Sequence, residues 1–564
     1  MSKYISCDIE TNGLDARLNQ IICVGFSDGH FYEANKDNLP LIQYKIKYLK
    51  GTNRTLVMHN GSFDTKFLWA NGVEIENEFD TMVAAYLLTD RPGKLSLDAL
   101  ASYYLGLPSW KEDIKGGAVF SDPDLMRLYC IKDCEVTLKL AEVLERKLIE
   151  EGKLDFFYKL MAARRMLTRA EYRGFAFDVD ACEALVKELT AQYEHELMEL
   201  NRIGGAIVAA FPKMTKAGFN WNSPAQIKWL LKDALKLNTV NPLTKKESAD
   251  AFVLELNQNK HPLIPHILQM RDTKKKISTL EGYLEYAKNT RTLYTNFNCT
   301  NTITGRLSSS GQLNLQQVPR DAKFRSLFKA REGYKLVIGD LAQIEVRVAA
   351  HYSKDPVLCA MFEREEDFYG TLAVQILGAE CAPNEVKSKY PEKRAVAKVI
   401  GLSCLYGIGT NKLCSTIQNA GGVKDFTVSQ ASSIINDYFE KFSGLRTLQS
   451  NIHRALTQKG HLINSEGRKV DVSEDKVHRD GPNSLLQSSA SDFLLFKAVE
   501  IEPKVKELGG HILALIHDEL IIEAPIAEAD KCVNIVKEHI ETKHNFRVPI
   551  KYSVGVGDTW ADKE

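Results

Sequence analysis

His517, Asp518 and Glu519 stand between the apolar runs 512–516 and 520–522 of GGHILALIHDELIIEAP (509–525). Such runs read as buried strands, and burying a carboxylate costs several kcal/mol unless positive charge meets it. Near the start, SCDIETNGL places Asp8 and Glu10 two apart on a strand-like run, hence on one face. HNGSFDTKFL adds Asn60 and Asp64 where a loop enters a helix. YCIKDCEVTLKL sets Tyr129 and Asp133 four apart on one helical face. A single Asp-x-Glu is a weak signal that usually means a solvated strand face. Four carboxylates from three segments can do more: they can hold two divalent cations about 3.5–4 Å apart, the arrangement for in-line phosphoryl transfer. One cation activates a water, the other stabilises the leaving oxygen, and a tyrosine hydroxyl can orient the water.

The elements that must position these groups follow from pattern. Residues 1–150 alternate strand-like runs (IICVGF, TLVMHN) with helical ones (LIQYKIKYLK, RLYCIKDCEVTLKLAEVLERKL), an α/β layout. From about 155 to 300 the pattern is helical and charged, and mixed structure follows, with strands at YKLVIGD and HILALIHDELIIEAP. The 564 residues suggest two or three domains, and no long linker or repeat separates them. At 44% hydrophobic and 26% charged the composition is that of an ordinary globular protein. No apolar run approaches a membrane span, and MSKYISCDIE lacks the apolar stretch of a secretory signal. The 11 cysteines contain no CxxC pair and fit buried thiols in a reducing cytoplasm. Net charge is zero but uneven: residues 1–150 carry 17 Lys and Arg against 22 Asp and Glu, leaving +5 for the rest. With the cluster RDTKKKIS at 271–278, that permits polyanion binding by the larger part.

The three carboxylate segments, in order, resemble the motifs of the DEDD-type 3′–5′ exonucleases that use tyrosine. DTMVAAYLLTDRPGKLSLDALASYYLG, between the second and third, resembles the same domain in family A DNA polymerases. The larger part resembles the polymerase domain of that family, bacterial and phage. LVIGDLAQIEVRVAAHYS is similar to motif A, KRAVAKVIGLSCLYG to motif B and LIHDELII to motif C. The resemblance implies an RNase H-like α/β exonuclease domain at 1–150 and an α+β right-hand polymerase domain at 151–564. Within the latter it implies a thumb at about 185–295, a palm at about 296–355 and 482–564, and fingers at about 356–481. It further implies that Asp340 and Asp518, with the Leu341 carbonyl, hold two Mg²⁺ in the palm, Mn²⁺ being able to substitute. Glu519 stands outside that shell, while Asp8, Glu10, Asp64 and Asp133 hold the exonuclease metals. Positioning and charge neutralisation dominate such chemistry.

Arg394, Lys398, Leu402 and Tyr406 recur every four residues on one helical ridge, and its two cations suit triphosphate oxygens. An exposed basic helix face is the plainer reading of that spacing alone. By the resemblance, Gln343, Glu345 and Tyr369 complete the nucleotide pocket, and Glu345 packs under the sugar to exclude a 2′ hydroxyl. Arg306, Asn314, Gln316, Arg468, Asn483, Gln487 and His517 match positions that contact primer–template. Minor-groove contacts suit geometry checking because the acceptors there are nearly common to all pairs. Lys274, Lys275 and Lys276 fall where a thumb grips duplex phosphates.

The family usually has tyrosine and serine where Leu341 and Ala342 stand, an aromatic at Leu402, asparagine at Gly401 and histidine at Tyr369. These departures bear on nucleotide selectivity and leave the metal ligands in place. A single-subunit RNA polymerase would share the palm, but Glu345 and the full exonuclease set speak against it. A non-catalytic DNA-binding scaffold should have lost some metal ligands, and all six carboxylates stand. The expectation is a monomeric cytoplasmic DNA polymerase with proofreading, acting on primer–template DNA and deoxynucleoside triphosphates. Its segments begin at the exonuclease, with no 5′-nuclease ahead of it, as in phage replicases.

Overall fold

In the computed structural model the described residues are 3–52, 54–89, 93–109, 122–212, 218–241, 244–420, 426–472 and 477–563. Residues 90–92 of the segment joining the second and third exonuclease-like motifs thus lie outside them.

YISCDIET (Tyr4–Thr11) alternates inward apolar residues with Ser6, Asp8 and Glu10, and forms the middle of a five-stranded mixed sheet. Ile21–Phe26 and Phe31–Glu33 lie on one side of it, Thr55–Met58 and Phe79–Asp80 on the other. The Ile21–Phe26 strand pairs antiparallel and Thr55–Met58 parallel. The helix Pro123–Glu150 crosses this sheet. Asp122 caps it by accepting from the Asp124 and Leu125 N–H groups, and Pro123 gives up no needed donor in the first turn. Its buried residues Met126, Cys130, Asp133, Thr137, Leu140, Leu144 and Leu148 follow helical spacing, so one stripe faces the sheet.

The larger part is centred on an antiparallel four-stranded sheet in the order His511–Ile516, Glu519–Pro525, Tyr334–Leu341, Tyr552–Gly557. Two long helices, Val179–Val208 and Leu263–Ala287, pack together and carry a separate core around Leu200, Trp221, Leu230 and Ile264. A block of helices, Phe368–Leu377, Pro391–Leu405, Thr410–Ala420, Val428–Lys441 and Ser443–Lys459, follows the first palm strand. This is the expected order, an α/β unit followed by an α+β right hand.

The two parts share one hydrophobic core, in which Tyr4, Val57 and Phe79 are continuous with Phe157, Leu160 and Leu167. Phe79 and Phe157 meet with ring centroids 4.6 Å apart. Each fully buried side chain of this size contributes about 1.5–3 kcal/mol, enough to keep the units docked. Among the described residues no helix is long and apolar enough to cross a membrane.

Candidate active sites

The strand YKLVIGDL delivers Asp340 and Leu341 at its end. A Cβ on Gly339 would come within 2.1 Å of Tyr552 Cζ, so only glycine lets the Tyr552 ring pack beneath Asp340. Strand pairing sets Asp340 opposite Glu519, and the Leu341 N–H donates to the Asp518 carbonyl at 3.1 Å. The tip that carries Asp518 therefore abuts the end of the Asp340 strand. The tip is shorter than the sequence suggested. His517 and Asp518 form the turn, His517 with φ +58°, and Glu519 already belongs to the return strand. Glu519 is buried and held by Trp560 Nε1, by Lys563 Nζ at 3.2 Å and by Arg325 Nη1 at 3.5 Å. Lys563 Nζ also meets Asp340 Oδ2 at 3.3 Å.

Burial, and then the charge of Asp518, push the Asp340 carboxyl up to about 6, against the opposing pull of Lys563. A carboxyl pushed up by burial and by a second carboxylate beside it suits a divalent cation. After Leu341 the chain turns sharply through Gln343, whose left-handed φ of +55° is strained for a non-glycine residue. The helix Ile344–Ser353 then starts with Glu345 beside the strand end.

Around Glu345 the structure brings together several predicted residues. Arg306 Nη2 donates to Glu345 Oε1, and Tyr406 lies close enough that burial and then Glu345 push its hydroxyl up. Gln343 Nε2 donates to Asp367 Oδ1 at 3.0 Å. The same carboxylate takes both Arg394 Nε and Nη2. Arg394 and Lys398 lie 5.5 and 5.9 Å from the Tyr369 ring centroid, with Lys398 exposed. Leu402 is partly buried and packs on the shared core. Gly401 has a packing reason: a Cβ there would lie 2.9 Å from both Phe368 Cε1 and Leu372 Cδ1. The Pro391–Leu405 helix thus seats directly on Phe368–Leu377.

In the smaller unit, Asp64 Oδ1 accepts from the Ile9 N–H at 3.2 Å, between Asp8 and Glu10. Burial, followed by the charges of Asp80 and Glu10, pushes the Asp64 carboxyl up to about 7. The third segment is brought in by the Pro123–Glu150 helix, whose Cys130 Sγ lies 3.6 Å from the Asp8 carbonyl. That helix carries Asp133, buried, and Tyr129, which packs beside Cys23 and Met126. Asn60 adopts φ +55° at the entry to the Asp64 helix, and Asp80 holds that loop by accepting from the Asn60 and Gly61 N–H groups at 3.0 and 2.9 Å. Among the described residues no three His, Cys, Asp or Glu side chains close into a ready-made metal cage.

The DNA-contact candidates divide. The Asn314 and Gln316 side chains both reach the Ser309 hydroxyl, which ties their hairpin together. Asn483 Oδ1 is buried without a hydrogen-bond partner, and Gln487 lies beside Tyr406. His517 is exposed at the hairpin tip. Lys274 and Lys275 are exposed on the Leu263–Ala287 helix, while Lys276 pairs with Asp272 at 2.9 Å. Arg468 departs from expectation. Its side chain is 3% exposed, it donates from Nε and Nη2 to Asp492, and it reaches the Tyr86 hydroxyl of the smaller unit at 3.3 Å. Its donors face the interior, where a charge survives burial only when paired.

The family model for DNA polymerase family A matches residues 184–562, and that for 3′-5′ exonuclease matches residues 1–149. The chain belongs to DNA polymerase family A. Its similarity to the DNA polymerase I of Borreliella burgdorferi is 29% identity across 100% of this chain and 62% of that protein. With the thermostable DNA polymerase I of Thermus thermophilus it is 30%, covering 87% and 56%. With the DNA polymerase of Escherichia phage T5 it is 28%, covering 97% and 71%. The chain thus spans between half and two thirds of the bacterial relatives. In fold it resembles the POL domain of Pol1 from M. smegmatis in complex with DNA primer-template and dNTP. The TM-score is 0.84 at 23% identity, and the match covers 99% of this chain and 96% of that one.

Against the family's motifs, three residues of this family A chain went unread in the sequence. Lys563 reaches Asp340 from more than 200 positions away, Trp560 holds Glu519 from 41 positions away, and Asp367 collects Arg394 and Gln343. A lone tryptophan amid the glycines of GVGDTW was the one hint of the first pair.

Proposed function

We propose that the chain is a DNA-directed DNA polymerase with a 3′–5′ proofreading exonuclease. It extends primer–template DNA from deoxynucleoside triphosphates in the palm and trims primer ends in the smaller unit. The observation that carries this reading is the meeting of Asp340 and Asp518 at one strand end, in a chain that holds a second, separate carboxylate group at Asp8, Glu10 and Asp64. The M. smegmatis relative's complex with primer-template and dNTP supports the same substrates.

Asp340, Asp518 and the Leu341 carbonyl would hold two Mg²⁺ in the palm, with Glu519 locked just outside by Trp560 and Lys563. Asp8, Glu10, Asp64 and Asp133 would hold the pair in the exonuclease. Mg²⁺, or Mn²⁺ in its place, supplies charge neutralisation and an activated oxygen nucleophile at both sites. The protein's part is positioning. Arg394 and Lys398 bind the triphosphate, Arg394 exchanging Asp367 for phosphate oxygens. Tyr369, Leu402 and Tyr406 shape the base and sugar pocket, with Gln343 bracing its wall. Glu345, fixed by Arg306, fills the space a 2′ hydroxyl would need. Asn314, Gln316, Asn483, Gln487 and His517 read the newly formed duplex, and Lys274, Lys275 and Lys276 grip its phosphates. Tyr129 orients the hydrolytic water.

The enzyme acts as a cytoplasmic monomer in genome replication, the T5 relative pointing to a phage genome. Primer extension with each nucleotide, canonical and modified, tests the reading. Template-directed addition with excision of a mispaired end supports it, and the absence of both overturns it.

A further inference from the structure

The 294–316 segment carries the proposed DNA contacts Arg306, Asn314 and Gln316, yet other residues along it face the exonuclease unit. Asn296 Oδ1 accepts from Lys66 Nζ at 2.8 Å, and Lys66 lies two residues beyond Asp64 on the same helix. Lys66 also pairs with Glu171 at 2.7 Å, and Glu171 Oε1 accepts from the Phe297 N–H at 2.8 Å. Arg164 completes that knot, donating to Glu171 Oε1 at 2.8 Å, to the Phe297 carbonyl at 3.0 Å and to Ser62. Further along, Gln312 Nε2 donates to Asp15 Oδ2 at 3.0 Å, five residues past Glu10. The Arg17 guanidinium sits 3.2 Å from the centre of the Tyr294 ring. Finally, the Tyr86 hydroxyl donates to the Thr302 carbonyl at 2.7 Å.

One segment is thus fastened to the loop after Asp8 and Glu10, to the helix of Asp64 and to Tyr86. The shared hydrophobic core docks the two units, and directional polar fastenings at this edge restrict the motion that remains. Here the fastenings run from the segment with the proposed DNA contacts to the elements that carry the exonuclease carboxylates. We propose that the 294–316 segment is the strap that fixes the exonuclease site relative to the duplex. By doing so it sets how a primer 3′ end divides between extension and excision. Gln312 and Tyr294 act in it as positioning residues. The proposal rests on the function proposed above. Physically, a fixed mount gives the second site a high effective concentration for an end released by the first, and a loosened mount lowers it.

The test uses the full chain with Gln312→Ala and Tyr294→Leu, singly and combined, on a primer ending in a mismatch with all four nucleotides present. The double variant should lower the ratio of excision to direct extension by about threefold or more. Digestion of a single-stranded oligonucleotide and extension of a matched primer should stay within about twofold. Gln312→Lys, which keeps a donor toward Asp15, should hold the ratio of the unaltered enzyme. An unchanged ratio in the double variant overturns the strap, as does a fall in single-strand digestion that matches the fall in the ratio. If the unaltered chain neither extends nor digests, the functional reading itself fails, and that result is distinct from either.

Discussion

Arg468 and Asp492 form a two-point ion pair, Nε to Oδ2 and Nη2 to Oδ1, both at 2.7 Å, with side chains 3% and 0% exposed. Removing one partner leaves an uncompensated buried charge, which costs about 3–5 kcal/mol. Asp492→Asn should therefore lower the melting temperature sharply. Arg468→Met should lower it too, while leaving the Kd for primer–template unchanged below melting. A weakened Kd at an unchanged melting temperature would return Arg468 to the DNA surface.

Glu171 lies fully inside the interdomain knot. Burial alone would raise its carboxyl, but Arg164 and Lys66 outweigh that and hold it below the usual carboxylate range. A depressed carboxylate contributes stability that is complete above its unfolded pKa of about 4.3 and lost as pH falls through the folded value. Glu171→Gln should thus be clearly less stable than the unaltered protein at neutral pH, with the gap closing below about pH 4. Parallel melting curves across pH check this, and a gap constant with pH would contradict it.

Gly401→Asn introduces the residue that the motif B resemblance leads one to expect there. In this chain the new Cβ would press on Phe368 and Leu372 at 2.9 Å. Overpacking of that kind costs about 1–3 kcal/mol, so the variant should melt lower and show a raised KM for nucleotides. A variant as stable as the parent would mean the two helices separate freely.

These tests mark where the sequence was and was not sufficient. Asp8 and Glu10 lie in a strand, Asp64 in the first turn of a helix, Asp340 at the end of a strand and Asp518 in a hairpin turn, all positions that local pattern marks. Gly401 read only as a departure, because its reason is Phe368, a neighbour across a helix interface. The tip at 517–519 was read one residue too long, since β pairing to Asp340 draws Glu519 into the strand. Arg468 reads from the sequence as a DNA contact, whereas what holds it in the structure is Asp492 and Tyr86, a helix partner and a residue 382 positions away. Lys563 went unread for the same reason, its target being reached only through the last strand. Long-range charge pairing leaves no periodic trace in a chain.

Glu345 is anchored by Arg306 and neighbours Tyr406. Glu345→Ala should raise the ratio of kcat/KM for ribonucleotides over deoxynucleotides by roughly tenfold or more, a change that steric discrimination of a hydroxyl can supply. An unchanged ratio in an active enzyme would remove the steric role.

The central claim is that two carboxylate sites serve two separate reactions. The most direct measurement is primer extension and single-strand digestion by purified Asp518→Ala, alongside Asp8→Ala with Glu10→Ala. Asp518→Ala should abolish extension and keep digestion largely intact, and the double variant should do the converse. Extension surviving within about tenfold in Asp518→Ala, a loss of under about 1.4 kcal/mol of transition-state stabilisation, would contradict the account.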